Sequence, residues 1–205
     1  KEGTSIGRAP AIDFKGEKKP GTETMKPVAA LLGESAYGGN ISPGSNLVQW
    51  PDIDIPGTWT DLGSYGAYSF FGGDFLNGDT TTMYAVDYDT NQLCAIDTAT
   101  HTVTVIGPCT PNGSEAWTGL TGSNDGTLYG ASTDITRSTL YTIDPATGAA
   151  TVVGQITNAP GIIDIAINVA GEMYGVDIVS DALVYIDTAT GAGTVVGGLG
   201  ANANY

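Results

Sequence analysis

An all-β propeller is the fold class that the sequence predicts: four blades, or part of a larger ring, each of four short antiparallel strands, preceded by an extended N-terminal arm. Three observations predict it. A unit of about 45 residues recurs four times. Each unit holds four short apolar segments separated by Gly, Asn, Asp or Pro turn signals. No window sustains a helical period.

The repeat is clearest in its last three copies. Met83-Tyr84-Ala85, Leu128-Tyr129-Gly130 and Met173-Tyr174-Gly175 are each followed by a polar turn and an apolar strand ending in Ile-Asp, at 93–97, 140–144 and 183–187. A Thr/Ala/Gly turn comes next, then a Val-rich strand closed by glycine at 103–107, 149–154 and 194–197. A degraded copy precedes them, with Ala36-Tyr37-Gly38, a strand at 47–50 and Gly-Thr-Trp-Thr-Asp-Leu-Gly at 57–63. The tyrosines Tyr37, Tyr84, Tyr129 and Tyr174 are spaced 47, 45 and 45 residues apart, and the closing glycines Gly63, Gly107, Gly154 and Gly197 are spaced 44, 47 and 43.

Each period also opens with an apolar segment, at 28–32, 67–71, 116–121 and 162–167. Four strands in about 45 residues describe a propeller blade. The expected blades are 28–63, 67–107, 116–154 and 162–197, between an arm at 1–27 and a tail at 198–205. Alternation in Thr102-Val103-Thr104-Val105 gives the outer strand one buried face. The tyrosines are expected to pack between blades, and Trp59 and Trp117 to pack in the core or on a blade face. Asp97, Asp144 and Asp187 stand at the third-to-fourth strand corner, where a carboxylate accepts the N–H groups of the turn.

The run Leu-Tyr-x-Ile-Asp-x-x-Thr-Gly-x-x-x-x-Val-Gly, at 140–154 here, resembles the blades of secreted and surface-anchored microbial β-propeller proteins. The resemblance spans 28–197 and implies architecture, an extracellular or cell-surface location, and nearly nothing about activity, because such blades serve adhesion, scaffolding and ligand display alike.

Charge excludes several function classes. The chain carries 22 acidic and 7 basic residues, a net of -15. Six of the seven cations lie in the first 26 residues, and Arg137 is the seventh. A body so acidic repels phosphate backbones and anionic membranes, so no nucleic-acid partner is expected. No segment reaches the length of an apolar span, so no membrane insertion is expected.

Catalytic constellations were sought and none emerges. His101, the single histidine, sits in a turn with no nucleophile beside it. There is no phosphate loop, and no pair of acids can be singled out for glycoside chemistry. A non-catalytic protein is expected. Asp164 is the most unusual acid, lying in Ile162-Ile163-Asp164-Ile165 on an inner strand. A carboxylate facing the channel wants a donor, a water or a cation, so it reads either as a satisfied structural acid or as an ion site. Calcium is the one cofactor the acids suggest, at Asp87 with Asp89 and at Asp74 with Asp79, where oxygen ligands alternate.

Cys94 and Cys109 are expected to form a disulfide, closing a loop of about 15 residues worth roughly 3 kcal/mol. With Asp97 opposite Thr102, Cys94 faces Val105, so the chain must fold back through Pro108 to bring the sulfurs together. The arm contains Ala11-Ile12-Asp13-Phe14-Lys15, which alternates like a strand. Ile12 and Phe14 are expected to anchor it on an exposed blade edge, making the partner another copy of the chain or another surface protein. Two functions follow: a surface structural protein that assembles through its arm into a filament or layer, or a glycan- or calcium-dependent adhesion module of a larger secreted protein.

Overall fold

Repeated turn chemistry divides the chain into sheets that each carry one copy of the motif. A computed structural model describes residues 35–40, 46–54 and 57–200, all within the compact unit Glu34–Tyr205. Blade 1 is β1 (Ala36–Asn40), β2 (Asn46–Trp50) and β3 (Thr60–Ser64). Blade 2 is β4 (Phe70–Leu76), β5 (Asp79–Asp87), β6 (Gln92–Asp97) and β7 (Val103–Pro108). Blade 3 is β8 (Ala116–Gly122), β9 (Leu128–Thr133), β10 (Ser138–Ile143) and β11 (Ala150–Ile156). Blade 4 is β12 (Ile162–Ile167), β13 (Met173–Asp177), β14 (Ala182–Ile186) and β15 (Gly193–Gly198). The strands of each blade pair antiparallel in chain order, and the four sheets form a four-bladed β-propeller. The expected inner strand of blade 1, at 28–32, lies outside the described residues.

The corners follow from local chemistry. Asn77 and Gly78 both take positive φ (56° and 70°), the geometry of a two-residue hairpin, and β5 therefore begins at Asp79, well ahead of its Tyr motif. At the outer corner, Asp97 Oδ1 accepts the N–H groups of Ala99 (2.9 Å) and Thr100 (2.7 Å), and Asp187 Oδ1 those of Ala189 (2.8 Å) and Thr190 (3.2 Å). In blade 3, Asp144 takes the Ala146 N–H (2.9 Å) and the Thr147 hydroxyl (2.7 Å). These donors hold the Asp97 and Asp144 carboxyls below the usual range.

A bulge recurs at one place in every blade. The third strand slips against the fourth at Leu47/Val48, Leu93/Cys94, Leu140/Tyr141 and Leu183/Val184. The extra outer-strand residue is Leu62, Ile106, Val153 or Val196. In the first three blades that residue packs against the next blade.

The core is a series of inter-blade clusters rather than one centre. Between blades 1 and 2 lie Leu47, Phe70, Met83, Ala85, Cys94 and Ile96, with Tyr37 and Leu62 packed against them. Between blades 2 and 3 lie Val86, Leu93, Trp117, Leu128, Tyr141 and Ile143, with Tyr84 and Ile106. Between blades 3 and 4 lie Ala131, Leu140, Ile162, Met173, Val184 and Ile186, with Tyr129 and Val153. The same motif positions serve each seam, which is how one repeat specifies a stack.

The expected disulfide is not formed. Both cysteines are free and buried. Cys94 does face Val105, but β6 alternates, so it points to the seam with blade 1, whereas Cys109 joins the seam with blade 3. The sheet of blade 2 stands between the two thiols. Burial, with the Asp87 charge added, pushes the Cys94 thiol up to about 11, and burial pushes that of Cys109 to about 12, leaving both unreactive. Trp117 packs as expected, its Nε1 donating to the Cys109 carbonyl at 2.7 Å; Trp59 instead stands 51% exposed.

Candidate functional site

The inner strands β4, β8 and β12, with β1, border a central cleft of about 360 Å³. Tyr37, Tyr65, Phe70 and Phe71 supply aromatic wall, and Asp74 and Asp164 supply the charge. The two acids are held differently. Asp74 uses both oxygens, Oδ1 on the Phe75 N–H (2.7 Å) and Oδ2 on the Thr121 hydroxyl (2.9 Å) and the Gly122 N–H (3.0 Å), which ties blade 2 to blade 3. Thr121 in turn accepts the Ile167 N–H at 3.2 Å, carrying the chain of bonds into blade 4.

Among the described residues Asp164 Oδ1 accepts only its neighbour's N–H, from Ile165 at 2.9 Å, while the side chain stays accessible within the cleft. The protein walls strip its water and Asp74 adds negative charge, so its carboxyl is raised above the usual range. Tyr65 lines the same cleft; it is 3% exposed and its hydroxyl has no hydrogen-bond partner among the described residues.

The raised carboxyl makes a testable statement. An acid whose pKa is higher folded than unfolded opposes folding while it is charged, and stops opposing it once the pH falls below the unfolded value. Asp164→Asn is therefore expected to raise Tm at about pH 7, and the gain should vanish near about pH 3. Thermal melts at both pH values check it, and equal Tm for parent and variant at neutral pH would contradict it.

The calcium candidates meet only in pairs, Asp74 with Asp164 in the cleft and Asp87 with Asp89 at Ser69, while Asp79 stands apart from Asp74. Asp87 is buried and staples the start of β4 to the end of β5, accepting the Ser69 N–H (2.8 Å) and the Thr90 hydroxyl. Asp89 accepts the Ser69 hydroxyl at 2.7 Å. Asp79 closes its own turn on Thr81, through the N–H (2.9 Å) and the hydroxyl (2.6 Å), and these bonds lower its carboxyl below the usual range. Among the described residues no three Asp, Glu, His or Cys side chains gather into a metal cluster. Ile12 and Phe14 lie outside the described residues.

Two features escaped the sequence reading. One is a polar network buried in blade 3 around Glu115. Its Oε1 accepts from Arg137 Nε (2.6 Å) and Thr139 Oγ1 (3.0 Å), and its Oε2 from Ser132 Oγ (2.5 Å) and Tyr141 Oη (3.3 Å). Ser132 occupies the place of Asp87 and Asp177 in the neighbouring blades, so blade 3 imports its carboxylate from the start of β8. The lone cation of the body, Arg137, was the signal that an acid needed pairing.

The other is the apolar, uncharged character of the outer rim, whose exposed edge is expected from the sequence. Strands β7, β11 and β15 each end their sheet, and each shows an equivalent exposed valine: Val105 (41%), Val152 (53%) and Val195 (49%). None of the three strands carries a charged residue.

Comparison with known proteins bears on architecture. A nidogen/laminin complex superposes with a TM-score of 0.58 at 11% identity, over 83% of this chain and 62% of that one. A structural-genomics protein from Bacteroides thetaiotaomicron gives 0.57 at 12%, over 74% of this chain and 38% of that one. An oligogalacturonate lyase in complex with manganese gives 0.51 at 19%, over 80% and 49%. At such identities the likeness is one of fold. The chain spans between 38% and 62% of the length of these three structures. Comparison with curated proteins finds no match. The repeat model DUF6923, a repeat of unknown function, matches residues 45–205, and the chain belongs to that repeat family.

Proposed function

We propose that this propeller is a non-catalytic structural module of the extracellular or cell-surface space, and that it assembles by accepting an extended strand on its outer blade edges. The observation that carries this reading is the unguarded rim. Natural sheets blunt their edges with lysine, proline or inward charge, yet β7, β11 and β15 offer unpaired backbone beside an exposed valine, with only Pro108 at the end of β7. The chain's own candidate for the added strand is the segment around Ile12 and Phe14. Its net +2 arm is attracted to a body of net -17. Each added backbone bond contributes about 0.5–1.5 kcal/mol. Each buried anchor contributes about 1.5–3 kcal/mol.

The test removes each half separately. Deleting residues 1–16, or changing both Ile12 and Phe14 to Asp, should reduce the assembly size read by light scattering. So should Val105→Lys, Val152→Lys and Val195→Lys combined. A parent that is monomeric, with all variants the same size, would defeat the reading.

A second reading, ligand binding in the central cleft, is favoured by one observation. Asp164 and the Tyr65 hydroxyl leave polar capacity unused in an aromatic-walled cavity. Calcium or a cationic ligand would seat at Asp164.

A further inference from the structure

Blade 4 presents to one side a face that in every other blade is covered by the next. In blades 2 and 3 the third-strand leucine is completely buried, Leu93 and Leu140 both at 0%. Their counterpart Leu183 belongs to no core cluster of the described residues and is only half-buried. The bulge residues Ile106 and Val153 pack against the following blade, whereas Val196 is 46% exposed.

The closing glycines report the same asymmetry in backbone terms. A Cβ on Gly107 would stand 2.2 Å from the Thr147 carbonyl oxygen, and one on Gly154 2.1 Å from that of Thr190. Each closing glycine thus lies against the outer hairpin turn of the next blade, where no side chain fits. A Cβ on Gly197 would meet no described residue within 4 Å.

The complementary face is on blade 1. The outer turns of blades 2, 3 and 4 are taken, since His101 sits 3.6 Å from a Cβ built on Gly63, and Thr147 and Thr190 lie on Gly107 and Gly154. Blade 1 carries Val48 and Trp50 where blade 2 carries Cys94 and Ile96, the residues that receive the preceding blade. Around them Gly39, Val48, Trp50 and Trp59 form a pocket of about 280 Å³, with Trp59 half exposed. Among the described residues nothing joins these two faces, and Trp59 and Val196 stay about half exposed (51% and 46%).

We propose that the blade 4 face, built on Leu183, Val196 and Gly197, seats blade 1 of a second copy of this chain, continuing the inter-blade seam from one molecule to the next. The contact is heterologous: each copy keeps one free face of each kind, so copies add head to tail and grow until a ring closes. This deepens the assembly reading by naming the partner and a second surface, and it does not require the arm.

The test is complementation with the full chain, read by sedimentation velocity over a concentration series. The parent should form a ladder of oligomers. Leu183→Lys with Val196→Asp removes the blade 4 face, and Trp59→Lys removes the blade 1 face, so each variant alone should be monomeric. Mixed together they should yield a heterodimer that grows no further, since only one live pair of faces remains.

Gly197→Ala guards against misfolding. Its methyl meets no described residue in the monomer, so Tm should be unchanged, while association should weaken at least about tenfold because the seam tolerates no Cβ there. Deleting residues 1–16 should leave the ladder intact if only the seam operates, which separates this proposal from strand addition. A monomeric parent, a Gly197→Ala variant that associates like the parent, or a mixture that stays monomeric would each overturn it.

Discussion

Glu115→Ala should destabilise the protein by about 1–3 kcal/mol, the cost of taking the acceptor from buried hydroxyls, since Arg137 is 42% exposed and regains water. The Glu115 side chain is fully buried and serves four donors from β9, β10 and the turn between them. Removing it takes one acceptor from each of Ser132, Thr139, Tyr141 and Arg137. Tyr141 keeps two contacts, accepting the Asn112 N–H at 2.9 Å and the Ser132 hydroxyl at 3.1 Å, so the loss is concentrated on Thr139 and Arg137. Glu115→Gln retains the shape and two acceptor lone pairs, so its cost should be smaller than that of alanine. Urea unfolding of the two variants checks the order, and a Glu115→Ala variant within 1 kcal/mol of the parent would show the network to be incidental, the range of an ordinary surface change being about 0.5 kcal/mol.

Most of the architecture is legible in the sequence because it is written four times. The Tyr-Gly, Ile-Asp and Val-Gly elements place the second, third and fourth strands within a residue or two, except that β5 starts four residues ahead of its Tyr motif, and Asp97, Asp144 and Asp187 close the corners they were expected to close. What was not legible is what one copy does differently from another. The Cys94–Cys109 pairing failed because sequence distance says nothing about which side of a sheet a residue faces, and the bulge beside Leu93 changes the count on one strand only. The Glu115 network was hidden because its acid lies outside the repeated motif and substitutes for one inside it. Asp164 reads in the sequence as an acid on an inner strand, yet Asp74, which lines the same cleft, reads there as a turn ligand.

The acids also show how a strongly negative chain stays folded. Asp79, Asp97, Asp125, Asp134 and Asp144 are all held below the usual carboxylate range, by side-chain hydroxyls and turn N–H groups that bind the charged form. Negative charge is concentrated where the backbone supplies donors, so the composition follows from the turns as much as from any partner.

The claim at the centre of this account is that one set of motif positions builds every inter-blade seam, and that blade 4 leaves its set open. Leu93, Leu140 and Leu183 occupy the same place in the repeat, and the first two are buried in seams while the third faces the open side. The most direct measurement is the unfolding free energy of Leu93→Ala, Leu140→Ala and Leu183→Ala, taken at a protein concentration low enough to keep the chain monomeric. The account predicts losses of about 2–5 kcal/mol for Leu93→Ala and Leu140→Ala. It predicts a loss under about 1 kcal/mol for Leu183→Ala. Equal losses at all three positions would mean that the fourth seam is already filled within one molecule, and would contradict it.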